Sequence, residues 1–165
     1  MREQVLRTLV RVSAGNPRRA AEVLGLGPTQ ADVLEINAGL ATEPASRADE
    51  VYTGVLFSAL DLPSLAPDVR ERADATLAVA SALFGLVRPD DLIPAYRLSG
   101  TVALPRLGPV AGRWRPVLPR VIAETAGDGL VVDLRSGAYV ALGRPPEELA
   151  DRTATLRVLH DRDGK

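Results

Sequence analysis

The sequence predicts a mixed fold, α/β or α+β, with a mixed sheet flanked by helices behind a helical N-terminal part. Three features carry that reading. Residues 3–13 place Val5, Leu6, Leu9, Val10 and Val12 mostly on one face at helical spacing. Two short apolar runs, Thr76–Ala82 and Leu130–Leu134, have the length and composition of strands covered on both faces. Helical patterns come first, and strand and helix alternate afterwards, which is the order of a mixed domain. At 165 residues the chain fits one domain, taken here as 1–165.

The elements follow from local signals. The first helix breaks at Gly15-Asn16-Pro17, where Asn16 supplies an N-cap and Pro17 a first-turn residue for a second helix, Pro17 to Leu24. Gly25 to Thr29 is a tight turn, and a third helix runs from about Thr29 to Leu40. Residues 41–49 read as polar loop. Val51 to Leu60 reads as extended at its start and helical at its end, without a decisive period. Pro67 to Ala75 is a charged helix, and Tyr96 to Leu104 is extended. Pro109 to Ala126 is helical with interruptions at Pro116 and Pro119, because proline removes a backbone donor. Gly127-Asp128-Gly129 is a turn, Ser136 to Leu142 a short helix and Thr153 to His160 a third strand. Asp163-Gly164 after that strand is a hairpin signal without a returning strand, and the first helix starts without a preceding cap. Both ends therefore read as those of a piece of a longer protein.

Composition narrows the function classes. No cysteine is present, so disulfides, thiolate catalysis and cysteine-held metals are excluded. The single histidine, His160, is the only one available to a Ser-His-Asp triad. The net charge of −1 announces no global field for nucleic acid, so such binding needs a local patch. Lys165 is the only lysine among 20 basic residues; the arginine bias fits a GC-rich genome, although arginine also suits phosphate. With no apolar stretch of about 18 residues and no signal-peptide pattern at Met1, the expected location is the cytoplasm, away from membranes.

Three places carry candidate chemistry. Val23 to Leu34 has Gly25 and Gly27 in a turn between helices, which resembles the hairpin of helix-hairpin-helix modules. Glycines admit a tight backbone, and amides at a helix N-terminus face an anion. Arg18, Arg19, Thr29 and Gln30 flank it as candidate DNA contacts. The same residues also describe an ordinary helix–turn–helix connection. Second, Pro89 and Pro94 bound a loop carrying Arg88, Asp90, Asp91, Tyr96 and Arg97. That loop fits either an anion or phosphate-backbone site, with Arg88 and Arg97 as further candidate DNA contacts, or a salt-bridged knot, in which Arg97 would pair with Asp91. Asp90 and Asp91 converging on one point would instead suggest Mg²⁺ and a nucleotide- or nucleic-acid-processing enzyme. Third, Asp133 to Tyr139 ends a parallel-type strand, where ligands often sit, although Ser136 is also a natural N-cap. Trp114, between Arg113 and Arg115, reads as a core residue rather than a base-stacking platform.

Several motifs then occur in order: Val51-Tyr-Thr-Gly54, Ser81-Ala-Leu-Phe-Gly-Leu-Val-Arg-Pro89, Ile93-Pro-Ala-Tyr-Arg-Leu98 and Val131-Val-Asp-Leu-Arg-Ser-Gly-Ala-Tyr139. Together they resemble the YaaA family of peroxide stress resistance proteins over most of the chain. Tyr52, Gly54, Asp91, Tyr96, Ser136 and Tyr139 stand at family-motif positions. Phe84 replaces a family tyrosine, Ser99 stands where a glutamate is common, and Arg135 and Ala138 are further departures. The resemblance implies cytosolic protection against hydrogen peroxide, limitation of free iron and of oxidative DNA damage, and sequence-independent DNA binding. It implies no cofactor, metal or established catalytic residue. A plain interaction module is the remaining alternative.

Overall fold

The computed structural model describes residues 1–156. Its N-terminal third is helical: α1 spans Arg2–Ser13, α2 Pro17–Leu24 and α3 Asp32–Gly39. Val5, Leu9 and Ser13 fall on the buried stripe of α1, as their near-3.6-residue spacing requires. Asn16 caps α2 by accepting the Arg19 N–H at 3.1 Å, with Pro17 in the first turn. Gly25, at φ +65°, closes the helix; Leu26 N–H donates to Ala21 O and Gly25 N–H to Glu22 O. That pair of bonds is a Schellman ending, and it needs the left-handed conformation that glycine adopts without penalty.

The middle of the chain is built from short ladders. Strand β1 (Ala45–Arg47) pairs antiparallel with β4 (Leu92–Pro94). Between them lie α4 (Ala48–Val51), α5 (Val55–Leu60), a 3₁₀ turn at Leu62–Ser64 and α6 (Pro67–Thr76). Strands β2 (Val79–Ser81) and β3 (Gly85–Val87) form a hairpin, and β5 (Ala103–Leu104) pairs with β6 (Gly108–Pro109). Then come α7 (Val110–Trp114) and α8 (Leu118–Ala126), separated at Pro116, with Pro119 in the first turn of α8. Strand β7 (Val131–Asp133), α9 (Gly137–Val140), a 3₁₀ segment at Glu147–Arg152 and β8 (Thr153–Thr155) complete the described chain; β7 and β8 pair in parallel.

The protein is thus α+β, with four two-stranded ladders among the described residues in place of one continuous mixed sheet. One core joins the N-terminal helices to the rest: Val5, Leu9, Leu24 and Leu34 meet Leu83, Leu98, Leu104, Val110, Trp114, Leu118, Leu142 and Leu149. A smaller cluster, Ala48, Val87 and Ile93, sits under α4.

Several sequence expectations change. Residues 41–49 are not all loop, because 45–47 find a distant partner in 92–94. The strand expected over 76–82 shrinks to three residues, and its apolar run turns back at Ala82–Phe84 into the β2–β3 hairpin. Residues 51–60 are largely helical. The run 130–134 is not covered on both faces, since Leu130, Val132 and Leu134 remain exposed. The third strand begins at Thr153 as expected, while residues 157–160, His160 and the hairpin signal at Asp163-Gly164 lie outside the described residues. No described helix is long and apolar enough to cross a membrane.

Candidate nucleic-acid interface

The turn after α2 and the segment 97–103 face each other across an open groove of about 580 Å³. Glu22 and Gly25 line one side; Arg97, Ser99, Thr101 and Tyr139 line the other parts. The structure therefore brings Gly25, Arg97 and Tyr139 together from three sequence segments.

Arg97 is held by its backbone and free at its side chain. The amide of Asn37, which is fully buried on α3, clamps it: Asn37 Nδ2 donates to Arg97 O and Arg97 N–H donates to Asn37 Oδ1, both at 2.9 Å. The Arg97 side chain is exposed and forms no ion pair among the described residues. Asp91 does not pair with it. Asp91 Oδ2 instead accepts the Arg88 N–H at 2.8 Å, and its carbonyl accepts the Ala48 N–H. Asn37→Ala removes both Arg97 backbone partners. It is expected to cost about 1–3 kcal/mol, since each buried group left unpaired bears its desolvation penalty. A denaturant titration checks this.

The hairpin itself satisfies part of its own backbone. Gln30 Oε1 accepts the Gly27 N–H at 2.9 Å, and the Gln30 N–H returns to Gly27 O. Helix α3 begins only at Asp32 and carries Asp32 and Glu35 in its first turn. Carboxylates there complement the helix dipole themselves. Thr29 is exposed in this turn, and Arg18 and Arg19 are exposed in the first turn of α2, at its other end. Arg88 lies elsewhere: its guanidinium donates to the Asp74 and Ala75 carbonyls at the end of α6, and it borders a second hollow with Arg70, Glu71, Asp74 and Asp90. It serves as a helix C-cap. Asp90 is exposed, and no group of three His, Asp or Glu gathers as a metal site among the described residues.

Two family-motif tyrosines, Tyr52 and Tyr96, join Ser81 in a hydroxyl chain. Ser81, buried in β2, accepts N–H bonds from Leu83 and Phe84 at 3.2 and 2.9 Å. That leaves its own proton for the Tyr96 oxygen at 2.6 Å, and the Tyr96 and Tyr52 hydroxyls share a further hydrogen bond at 2.9 Å in which either can donate. Phe84 packs edge-on against Tyr96, and Phe57 stacks on Tyr52. Burial raises the pKa of Tyr52 and Tyr96, so both are neutral donors at physiological pH. Gly54 is the exposed residue that opens α5.

The Asp133–Tyr139 segment is anchored by a buried ion pair. Arg135 Nε and Nη2 contact the two Asp133 oxygens at 2.8 and 2.7 Å, and Nη1 reaches Gly143 O at 2.8 Å and Tyr139 O at 3.5 Å. The Arg135 bonds hold the Asp133 carboxyl below its usual range despite burial. Ser136 occupies the N-cap position of α9 without a side-chain capping bond; its carbonyl accepts the Tyr139 and Val140 N–H groups. A second ionic cluster, missed from sequence, joins Arg47 and Arg70 to Asp49 and Asp74 across β1, α4 and α6. Trp114 is a core residue, as expected: its Nε1–H donates to Ala82 O at 2.7 Å.

Comparison with known proteins now decides the family. The sequence profile of the family described as "Peroxide stress protein YaaA" matches residues 1–165. The chain belongs to the YaaA family. A UPF0246 protein of Streptomyces coelicolor is 50% identical over 159 residues, covering 96% of this chain and 61% of the relative. One of Corynebacterium glutamicum is 37% identical over 141 residues, covering 83% of this chain and 55% of the relative. One of Corynebacterium efficiens is 35% identical over 160 residues, covering 94% and 62%. The chain thus spans about three fifths of the length of these YaaA-family relatives.

Proposed function

We propose that this YaaA-family chain serves peroxide stress resistance by binding DNA without sequence preference, limiting oxidative damage to DNA and free intracellular iron. One observation supports the reading above others. The glycine turn after α2 and the unpaired guanidinium of Arg97 line the same groove, with the Tyr139 ring beside them. A guanidinium held by its backbone and free at its tip suits a phosphate, which it meets through paired N–H donors. Arg18 and Arg19 add exposed positive charge at the start of α2, whereas Glu22 lines the groove and opposes it.

The test is fluorescence anisotropy with duplexes of unrelated sequence over a salt series. Affinity is expected to be equal across sequences and to fall steeply with salt. Arg97→Ala is expected to weaken all duplexes alike and to lower the salt slope by about 1. Stability should stay within about 0.5 kcal/mol, as for other surface changes. Arg88→Ala, which removes the α6 cap, is expected to act on the denaturation midpoint instead. No binding at low salt overturns the DNA reading. The iron part is tested separately by whole-cell spectroscopy of free iron after peroxide, with and without the protein.

A further inference from the structure

The β7–β8 ladder has a geometry that two strands do not normally sustain alone. Parallel strands are found almost only in sheets covered on both faces. Here two parallel three-residue strands pair only with each other among the described residues. The inner face is covered: Asp133 is buried and Val131 packs on the core. The outer face is left open by the described residues. Leu130, Val132 and Leu134 alternate onto it from β7 and its flanks, and the register Val132↔Ala154 places Leu156 there from beyond β8. Their relative exposures are 68%, 49%, 56% and 61%. Contiguous apolar surface of this kind marks an interaction site, and an open edge beside it invites another strand.

We propose that this face is a docking surface for the polypeptide that the longer YaaA-family relatives carry beyond the region they share with this chain. Two facts favour that occupant over a separate protein or a second copy. About two fifths of the Streptomyces coelicolor relative lies outside the matched region, and that length of chain is available to cover an open face of the shared fold. The incomplete element is also a sheet whose backbone continues the core, rather than a detached surface patch; strand addition supplies the absent ladder bonds and an apolar cover together. The outer segment would present an alternating apolar strand or an apolar helix stripe to Leu130, Val132, Leu134 and Leu156.

The experiment compares this 165-residue chain with a chimera in which it replaces the matched region of the Streptomyces coelicolor relative. Hydrogen exchange is read at residues 130–134 and 153–156, with α5 as the internal reference, because Val55 and Leu56 there are exposed apolar residues as well. Exchange at 130–134 and 153–156 is expected to slow at least about tenfold in the chimera while α5 stays unchanged. Val132→Glu is expected to leave the thermal midpoint of the 165-residue chain unchanged and to lower that of the chimera. The intact relative, measured at its aligned positions, is expected to show the same protection, which covers a chimera that fails to fold. Unprotected amides there in the intact relative overturn the proposal. So does concentration-dependent protection in the 165-residue chain, which would assign the face to a second copy.

Discussion

Trp114→Ala is expected to destabilise the protein by about 3–5 kcal/mol, the range for truncating a large buried aromatic. The indole does two things at once. Its ring fills the core between α7 and the β2–β3 hairpin, and its Nε1–H satisfies the Ala82 carbonyl in the hairpin turn. The fit is close enough that a Cβ at Gly85, whose φ is +89°, would lie 2.6 Å from the Trp114 ring. Trp114→Phe separates the two roles: it keeps an aromatic ring and loses the donor, so a smaller loss of about 1–3 kcal/mol is expected. Gly85→Ala is expected to be destabilising on both strain and clash. Urea midpoints of the three variants check the ordering, and an alanine variant as stable as the parent would contradict this packing account. The hairpin carries Ser81, so loss of Trp114 should also loosen the Ser81–Tyr96–Tyr52 chain and, through it, the segment leading to Arg97.

Arg135→Ala should cost about 3–5 kcal/mol at neutral pH, because it strands the buried Asp133 carboxylate. The loss should be pH-dependent with a definite sign. In the parent, Arg135 depresses the folded-state pKa of Asp133. The pair therefore contributes fully above the unfolded carboxylate value of about 3.9, and its contribution is lost as pH falls through the lower folded value. In the variant the lone carboxylate is relieved by protonation, so the difference between the two proteins should shrink on acidification. Denaturation at pH 7 and pH 3 measures it; a difference that grows in acid would sink the ion-pair explanation. Arg135 also donates to Gly143 and Tyr139 carbonyls, so Arg135→Lys, which cannot make the forked contact, should recover only part of the loss.

Much of the local structure was legible in the sequence. Asn16 and Pro17 start α2, Gly25 ends it, and Pro116 divides α7 from α8, whereas Pro119 sits in the first turn of α8 without interrupting it. These signals are readable because they act within one helical turn, through φ restrictions and bonds between residues three to five apart. Of the motif positions, Tyr52 and Tyr96 meet through their hydroxyls, a contact that their spacing did not announce. The site was less legible. The loop chemistry around Arg97 allowed a knot with Asp91 or a free guanidinium, and Asn37 decides between them from 60 residues away. Nothing local marks Asn37 on α3 as a backbone clamp.

What the sequence by itself determined was therefore the N-terminal helices with their caps, the aliphatic core and the family. The tertiary structure decided which elements meet. It paired β1 with β4 across α4, α5 and α6, cut the apolar run 76–82 into a hairpin, and joined Ser81 to Tyr96 and Tyr52. It also left Leu130, Val132 and Leu134 facing outward, although their apolar character alone reads as burial. The physical reason is the same in each case. A residue's own chemistry sets its local conformation and its cost of exposure, whereas its partner is chosen by competition among all surfaces the folded chain brings within reach.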